Sequence, residues 1–318
     1  MNRRVLVTGA SGFIGRVLCD TLASRSYKVV GLGRSRAAGF RNGVDYRACD
    51  LQTGNLNAII TGSFDVVIHL AGLAHGKDGR QQQNDDFCRI NVDASIRVAK
   101  ATIRAGIGRF VFISSIGVHG VSTSGAPVTE NSPLVPDSLY AQSKLDAETA
   151  LAALFQENGL SGLVIVRPPL VYGAEAPGNF GRLLRLTALR CPLPFAGCTN
   201  RRSIISVSNL AAFLMMCIDH PQASNQVFVI SDGMGVSTKQ IVSSLRRGMK
   251  RRRALFPVSP FIMRTALALA GKSDTYQQLF GNLEVDSGKA EQLLGWVPDR
   301  NTLKQLEAVG ASYVNSRL

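Results

Sequence analysis

The chain is short of acidic side chains, short of charge overall, and has no long uninterrupted apolar run. Of its 318 residues only 18% are charged while 45% are hydrophobic. That balance excludes a chain held disordered by its own charge. Its six cysteines, Cys19, Cys49, Cys88, Cys191, Cys198 and Cys217, fall at irregular spacings without a Cys-x-x-Cys pair. A disulfide framework and a structural zinc have no support in that pattern, no metal is expected, and a reducing compartment fits it. The most apolar stretch, residues 254–271, is broken by Pro257, Pro260 and Arg264. A spanning helix needs ~20 mostly apolar residues, so no transmembrane segment is expected. Residues 1–4 lead straight into a short apolar segment, without the core or cleavage site of a signal peptide. No repeat recurs at a fixed period. The length allows one large α/β domain or two smaller ones, with a core that needs no staples.

The acidic shortfall leaves 36 basic side chains against 22 acidic, a formal charge of +14. Residues 161–318 carry 19 basic and 9 acidic side chains, so most of the excess lies in the second half. Such a surplus suits a polyanionic partner. Its densest part is Arg246, Arg247, Lys250, Arg251, Arg252 and Arg253, directly after a helical pattern at 237–245. The plain reading is the solvated end of a helix, where cations are favoured. A weak association with an anionic membrane surface stays open. No helix-turn-helix, zinc finger or stacking-aromatic pattern supports a specific nucleic-acid partner.

The first half alternates short β-branched runs with longer helical patterns. Strands are predicted at Arg4–Thr8, 28–32, 45–48, 65–70, 109–114 and Leu163–Arg167, and helices at Phe13–Ser24, 85–105 and 138–158. Alternation of this kind predicts right-handed βαβ units. After Pro168-Pro169 the pattern loosens, and a strand at 203–207 with a helix at 210–219 reads as a return to the first domain. The expected fold is α/β: a Rossmann-type doubly wound parallel sheet with a smaller, discontinuous α/β substrate lobe. Residues 1–168 form the dinucleotide-binding domain, with 203–220 rejoining it. Residues 169–202 and 221–318 are mainly the smaller lobe, in which a strand at 226–231 is also predicted.

Between the first strand and helix stand Gly9, Ser11, Gly12, Phe13, Ile14 and Gly15. Glycines here allow a tight turn, close approach of a pyrophosphate, and close helix–strand packing. The helix start then offers free N–H groups to phosphate. At the end of the second strand Arg34 and Arg36 stand where NAD-selective proteins often place an acid. NADP(H) is therefore favoured, with NAD(H) open if Arg34 only stacks on adenine. Asp50-Leu51 would meet the adenine edge, and Leu70-Ala71-Gly72 would bring backbone to the cofactor.

Tyr140 and Lys144 lie four apart on a predicted helix, hence on one face. A tyrosine can give a proton to a carbonyl being reduced or take one from an alcohol being oxidised. Its free pKa near 10 is too high for a base at neutral pH, and a cation one turn away would lower it. Ser115, ending the fifth strand, would hydrogen-bond the same substrate oxygen. A surface Tyr/Lys pair is the alternative.

Together these residues resemble the extended short-chain dehydrogenase/reductases over nearly the whole chain. The resemblance rests on Thr8-Gly-x-x-Gly-x-x-Gly15, Asp50-Leu51, His69-Leu-Ala-Gly72, Asn91-Val, Ser114-Ser115, Tyr140-x-x-x-Lys144, Arg167-Pro168-Pro-Leu-Val-Tyr-Gly173, Asp286-x-x-Lys289 and Leu294-Gly-Trp296. It implies Ser115, Tyr140 and Lys144 as the catalytic triad, Asn91 as its support, and Pro168 beside the cofactor. Asn179 and Arg202 would meet the diphosphate of a UDP-sugar, a task that suits a guanidinium fork. A helix N-cap is the other reading of Asn179, and an exposed loop charge that of Arg202. The chain departs from the family at Leu170, where many members carry Asn. It also departs at 281–286, which lacks the second diphosphate arginine of UDP-galactose 4-epimerases.

The acid pair that follows the catalytic hydroxyl in 4,6-dehydratases is replaced here by Ile116-Gly117, which disfavours dehydration. The Arg34 reading and a closer resemblance to bacterial O-antigen reductases point to C4 reduction of a UDP-4-keto-6-deoxy-N-acetylhexosamine. The alternative is a nucleotide-sugar 4-epimerase with tightly held NAD, and a more distant one a non-catalytic dinucleotide-binding protein. The family further implies a cytoplasmic homodimer built on the helices around 85–105 and 138–158.

Overall fold

The computed structural model describes residues 3–34, 40, 43–74, 80–123, 125–252, 254–269 and 273–317. Arg36 and Arg253 lie outside them. A seven-stranded sheet in the order β3-β2-β1-β4-β5-β6-β9 forms the centre. Its strands are β1 (Arg4–Thr8), β2 (Lys28–Gly33), β3 (Val44–Ala48), β4 (Val66–His69), β5 (Arg109–Ile113), β6 (Leu163–Arg167) and β9 (Gln226–Val229). All neighbours are parallel. Two further strands, β7 (Leu170–Tyr172) and β8 (Ile204–Ser206), pair only with each other.

Burial explains the central strands. Val5, Leu6 and Val7 in β1, like Val67 and Ile68 in β4, are sealed from solvent. Each such side chain adds ~1.5–3 kcal/mol of transfer energy. Because both faces are covered, these strands read as continuous apolar runs. One face is covered by α1 (Phe13–Ser24) and α7 (Val207–Asp219). The other is covered by α2 (Leu56–Ile59), α4 (Ala94–Arg104) and α5 (Leu139–Glu157), with α3 (Arg80–Phe87) packed on α5. Between α3 and α4 the helix widens into a π-helical turn over Cys88–Asp93.

The smaller lobe packs α6 (Gly178–Ala188), α8 (Thr238–Gly248) and α12 (Thr302–Asn315) around Tyr172, Phe180, Leu184 and Leu245. Beside them run α9 (Pro260–Leu269) and α10 (Ser273–Phe280), while α11 (Gly288–Leu294) packs on β9 with Ala290 and Leu294 in the main core. Among the described residues no helix is long and apolar enough to cross a membrane.

Three features depart from the sequence reading. Segment 221–318 was expected mainly in the smaller lobe, yet β9 pairs with β6 as the seventh strand of the main sheet. Trp296 follows it into that core, edge-on to Phe213. The strand at 204–206 stays out of the main sheet, and its following helix α7 alone returns to pack on α1.

The third departure is in the basic run, which is more than a solvated helix end. Arg246 is only 1% exposed. Its guanidinium donates to the carbonyls of Thr187, Leu189, Cys191, Arg252 and Ala254 at 2.6–3.3 Å. Five backbone dipoles thus satisfy a buried cation that has no acid partner among the described residues.

Candidate active site

Gly9 leaves β1 at φ +68°, a conformation that favours glycine. A Cβ there would stand 2.7 Å from the Ala71 nitrogen, so β1 and β4 close on each other at this turn. A Cβ on Gly15 would press on Gly9 O and Ala10. Gly12 caps α1 in extended conformation with no capping side chain, and the first turn carries no acid. Free N–H groups and the positive helix end are thus left for an anion. A cavity of about 210 Å³ beside them is lined by Gly9, Ser11, Gly12, Gly33, Arg34, Asp50, Leu51, Leu70, Ala71 and Gly72. A Cβ on Gly33 would fill the space next to Ser11 Oγ. This cradle fits a dinucleotide. Asp50 Oδ1 is engaged by the Gln52 amide, and Arg34 is exposed. Ile14 is half-buried against the main core, while Phe13 packs towards the smaller lobe, where its ring excludes a side chain at Gly173.

Ser115 follows β5 and accepts a hydrogen bond from Gly117 N at 3.1 Å. Tyr140 lies in the first turn of α5, which Ser138 caps. Ser115 stands beside its phenol and lowers its pKa. Lys144, one turn on, is buried and donates from Nζ to Ile113 O at 2.9 Å, over the ring of Phe112. Burial pushes Lys144 down to about 8, with Glu148 opposing the shift. The three side chains meet where β5 ends and α5 begins, and Tyr140/Lys144 is no surface pair.

One electrostatic expectation fails in this state. Lys144 was to lower the pKa of Tyr140, yet burial dominates and raises it, with only the neighbouring Ser115 pulling it down. The ammonium is aimed at the Ile113 carbonyl and Phe112 ring instead.

Asn91 is fully buried in the π-helical turn. Its amide joins Leu73 N at 2.7 Å, Leu73 O at 3.0 Å and Ser143 Oγ at 2.9 Å. It thereby ties the loop after β4 to α5. Behind it runs a buried chain that the sequence reading left without a role. Ser95 Oγ donates to Asn91 O at 2.6 Å, His69 Nε2 meets Ser95 Oγ at 2.9 Å, and Thr8 Oγ1 meets His69 Nδ1 at 2.7 Å. Pro168 O accepts from Ile116 N at 2.9 Å and so holds the Ser115 turn against the end of β6. Next to it, Arg167 is paired with Glu148 at 3.0 and 2.5 Å and donates to His119.

A second cavity of about 460 Å³ lies in the smaller lobe and brings Asn179 and Arg202 together. Pro177 is the N-cap of α6, so Asn179 is a first-turn residue and not the cap. Arg202 is no loose loop charge. Its Nη1 donates to Gln277 O and Gly281 O, both at 3.0 Å, and burial pushes its pKa down to about 10. Leu170 lines the same cavity, as does Arg182, which sequence reasoning missed. The signal was the i, i+3 spacing from Asn179, which puts both on one face of α6.

Residues 5–231 match the family model described as the NAD dependent epimerase/dehydratase family. A UDP-glucose 4-epimerase of Vibrio cholerae is 33% identical over 99% of this chain and 97% of its own. An N-acetyl-alpha-D-glucosaminyl-diphospho-ditrans,octacis-undecaprenol 4-epimerase of Escherichia coli O157:H7 is 26% identical over 79% of this chain and 74% of its own. Among solved structures, UDP-glucuronic acid 4-epimerase from Bacillus cereus in complex with NAD superposes with a TM-score of 0.80. That match has 20% identity and covers 98% of this chain and 96% of the other. The names of these relatives match the epimerase alternative of the sequence reading rather than its C4-reductase reading.

Proposed function

The chain belongs to the NAD-dependent epimerase/dehydratase family, and from that premise we propose that it is a nucleotide-sugar 4-epimerase acting on a UDP-hexose or UDP-N-acetylhexosamine. The observation that carries this reading is the junction of Ser115, Tyr140 and Lys144, with Ser115 beside the Tyr140 phenol and Lys144 anchored on Ile113, two residues before Ser115. When bound, the nicotinamide supplies a reversible hydride acceptor for the sugar C4. Tyr140 takes the proton of the C4 hydroxyl as the carbonyl forms. It returns that proton to the oxygen once the sugar has presented its other face. The Ser115 hydroxyl holds the C4 oxygen in both steps. Lys144, poised near pH 8, supplies the cation that the transient phenolate needs. Arg202, Asn179 and Arg182 hold the UDP diphosphate in the second cavity, Arg182 taking the part of the arginine missing from 281–286. Gly9, Gly12 and Gly15 at the open start of α1 would hold the pyrophosphate of the cofactor.

A C4 keto-reductase is the second reading, and Arg34 favours it. Arg34 lines the adenine side of the first cavity where an acid would select NAD, and it suits the 2′-phosphate of NADP(H). On the epimerase reading NAD stays bound. Either enzyme would serve surface-polysaccharide synthesis as a cytoplasmic homodimer packed on α4 and α5.

The test is proton NMR of UDP-glucose and of UDP-N-acetylglucosamine with the protein and no added cofactor. Appearance of the C4 epimer supports the proposal. No epimer, together with stoichiometric NADPH oxidation by UDP-4-keto-6-deoxy-N-acetylglucosamine, replaces it with the reductase.

A further inference from the structure

Arg246 ties two separate loops into one surface. Its carbonyl partners Leu189 and Cys191 follow α6, and Arg252 and Ala254 follow α8. The second loop then pairs with the first through Phe256 N to Leu193 O at 3.0 Å, before α9 begins. On this joined surface the apolar side chains face water. Phe261 is 77% exposed, Ile262 60% and Leu269 86%, with Leu189 and Phe256 also exposed. Arg264 shares α9 with Phe261, Ile262 and Leu269, and Arg190, Lys250 and Arg252 on the two joined loops are exposed as well. Residues 233–272 contain nine Lys and Arg and no Asp or Glu. Arg247, whose partner is Glu307 on α12, is neutralised from outside that stretch.

We propose that this surface docks on an anionic phospholipid bilayer, with α9 lying in the headgroup region. Apolar side chains beside exposed cations that have no ion pair among the described residues are the composition of an interfacial helix. Phe261, Ile262 and Leu269 enter the acyl boundary, while Arg264 on the same helix reaches back to the phosphates by its flexible stem. A protein partner of ordinary mixed charge would leave most of these exposed cations without acids to meet them, whereas an anionic leaflet meets them all. The docking is independent of the reaction at C4.

The test is co-sedimentation of the full chain with phosphatidylglycerol–phosphatidylcholine vesicles and with phosphatidylcholine vesicles. Binding to the mixed vesicles is expected to be at least about tenfold tighter. It should collapse between about 0.1 M and about 1 M salt as the Debye length falls from ~10 to ~3 Å. Arg252→Gln and Arg264→Gln should each weaken it about fivefold. Phe261→Ser combined with Ile262→Ser should abolish it while circular dichroism stays unchanged. Equal or absent binding to the two vesicle types overturns the proposal. So does full binding by the Phe261→Ser/Ile262→Ser variant. Self-association that this variant abolishes, without vesicle binding, assigns the face to a second copy and also overturns it.

Discussion

The Nζ of Lys144 donates to the carbonyl of Ile113 at 2.9 Å, so the cation on α5 is pinned to the strand end that presents Ser115. The position of the charge and the position of the hydroxyl are set by one contact. Lys144→Met keeps the apolar stem over Phe112 and removes the charge. Turnover should fall by about 10²–10⁴, the range of acid–base assistance, while dinucleotide binding persists. Steady-state kinetics with a cofactor fluorescence titration checks both halves.

Gly72 guards the same pair from the other side. A Cβ there would stand 3.1 Å from both Lys144 Nζ and Asn91 Oδ1. Gly72→Ala should therefore displace the ammonium and lower kcat more than it lowers thermal stability. A melting temperature that drops by many degrees with kcat intact would contradict this.

Glu148 has two tasks. It neutralises the buried Arg167, and it raises the pKa of Lys144 against the effect of burial. Removing one partner of a buried pair costs ~3–5 kcal/mol, so Glu148→Gln should lower the denaturation midpoint clearly. Without the carboxylate Lys144 holds its proton less tightly. The alkaline limb of the pH–rate profile should then shift to lower pH, which a loss of folding alone would not produce.

His69 titrates against the fold. Ser95 gives its proton to Asn91, so His69 Nε2 donates to Ser95, and Nδ1 accepts from Thr8. Burial pushes His69 down to about 3 from an ordinary value near 6.5. The unfolded chain therefore binds a proton that the folded chain refuses. The stability from this group is complete above pH 6.5 and is lost as the pH falls towards 3. The slope is up to ~1.4 kcal/mol per pH unit. Urea midpoints from about pH 7 to about pH 4 should show the decline, and His69→Gln should flatten it.

Where local pattern decides structure, the sequence was readable. The β-branched run at Arg4–Thr8, the glycine-led helix Phe13–Ser24 and the strand Leu163–Arg167 have the bounds their residues predict. Each is set by neighbours in the chain and by one buried face. The edge that β9 joins is set by distant packing of Phe213 against both Phe228 and Trp296, which no local period encodes. The π-helical turn at Cys88–Asp93 adds only one residue to a helical run, so 85–105 reads as an uninterrupted helix. Arg246 had the same spelling as its solvated neighbours, and only the carbonyls converging from two loops distinguish it. At the site, Tyr140, Lys144 and Ser115 were legible through spacing and motif. The raised pKa of Tyr140 was not, because desolvation depends on what covers the ring, here including Phe87.

The most direct test of the central claim is the fate of deuterium placed at C4 of the UDP-sugar. Mass spectrometry of both epimers after equilibration in ordinary water should find the label retained at C4, because the hydride leaves to and returns from the same bound cofactor. Loss of the label from C4 during interconversion, or its release into a freely exchanging reduced cofactor, would contradict the account.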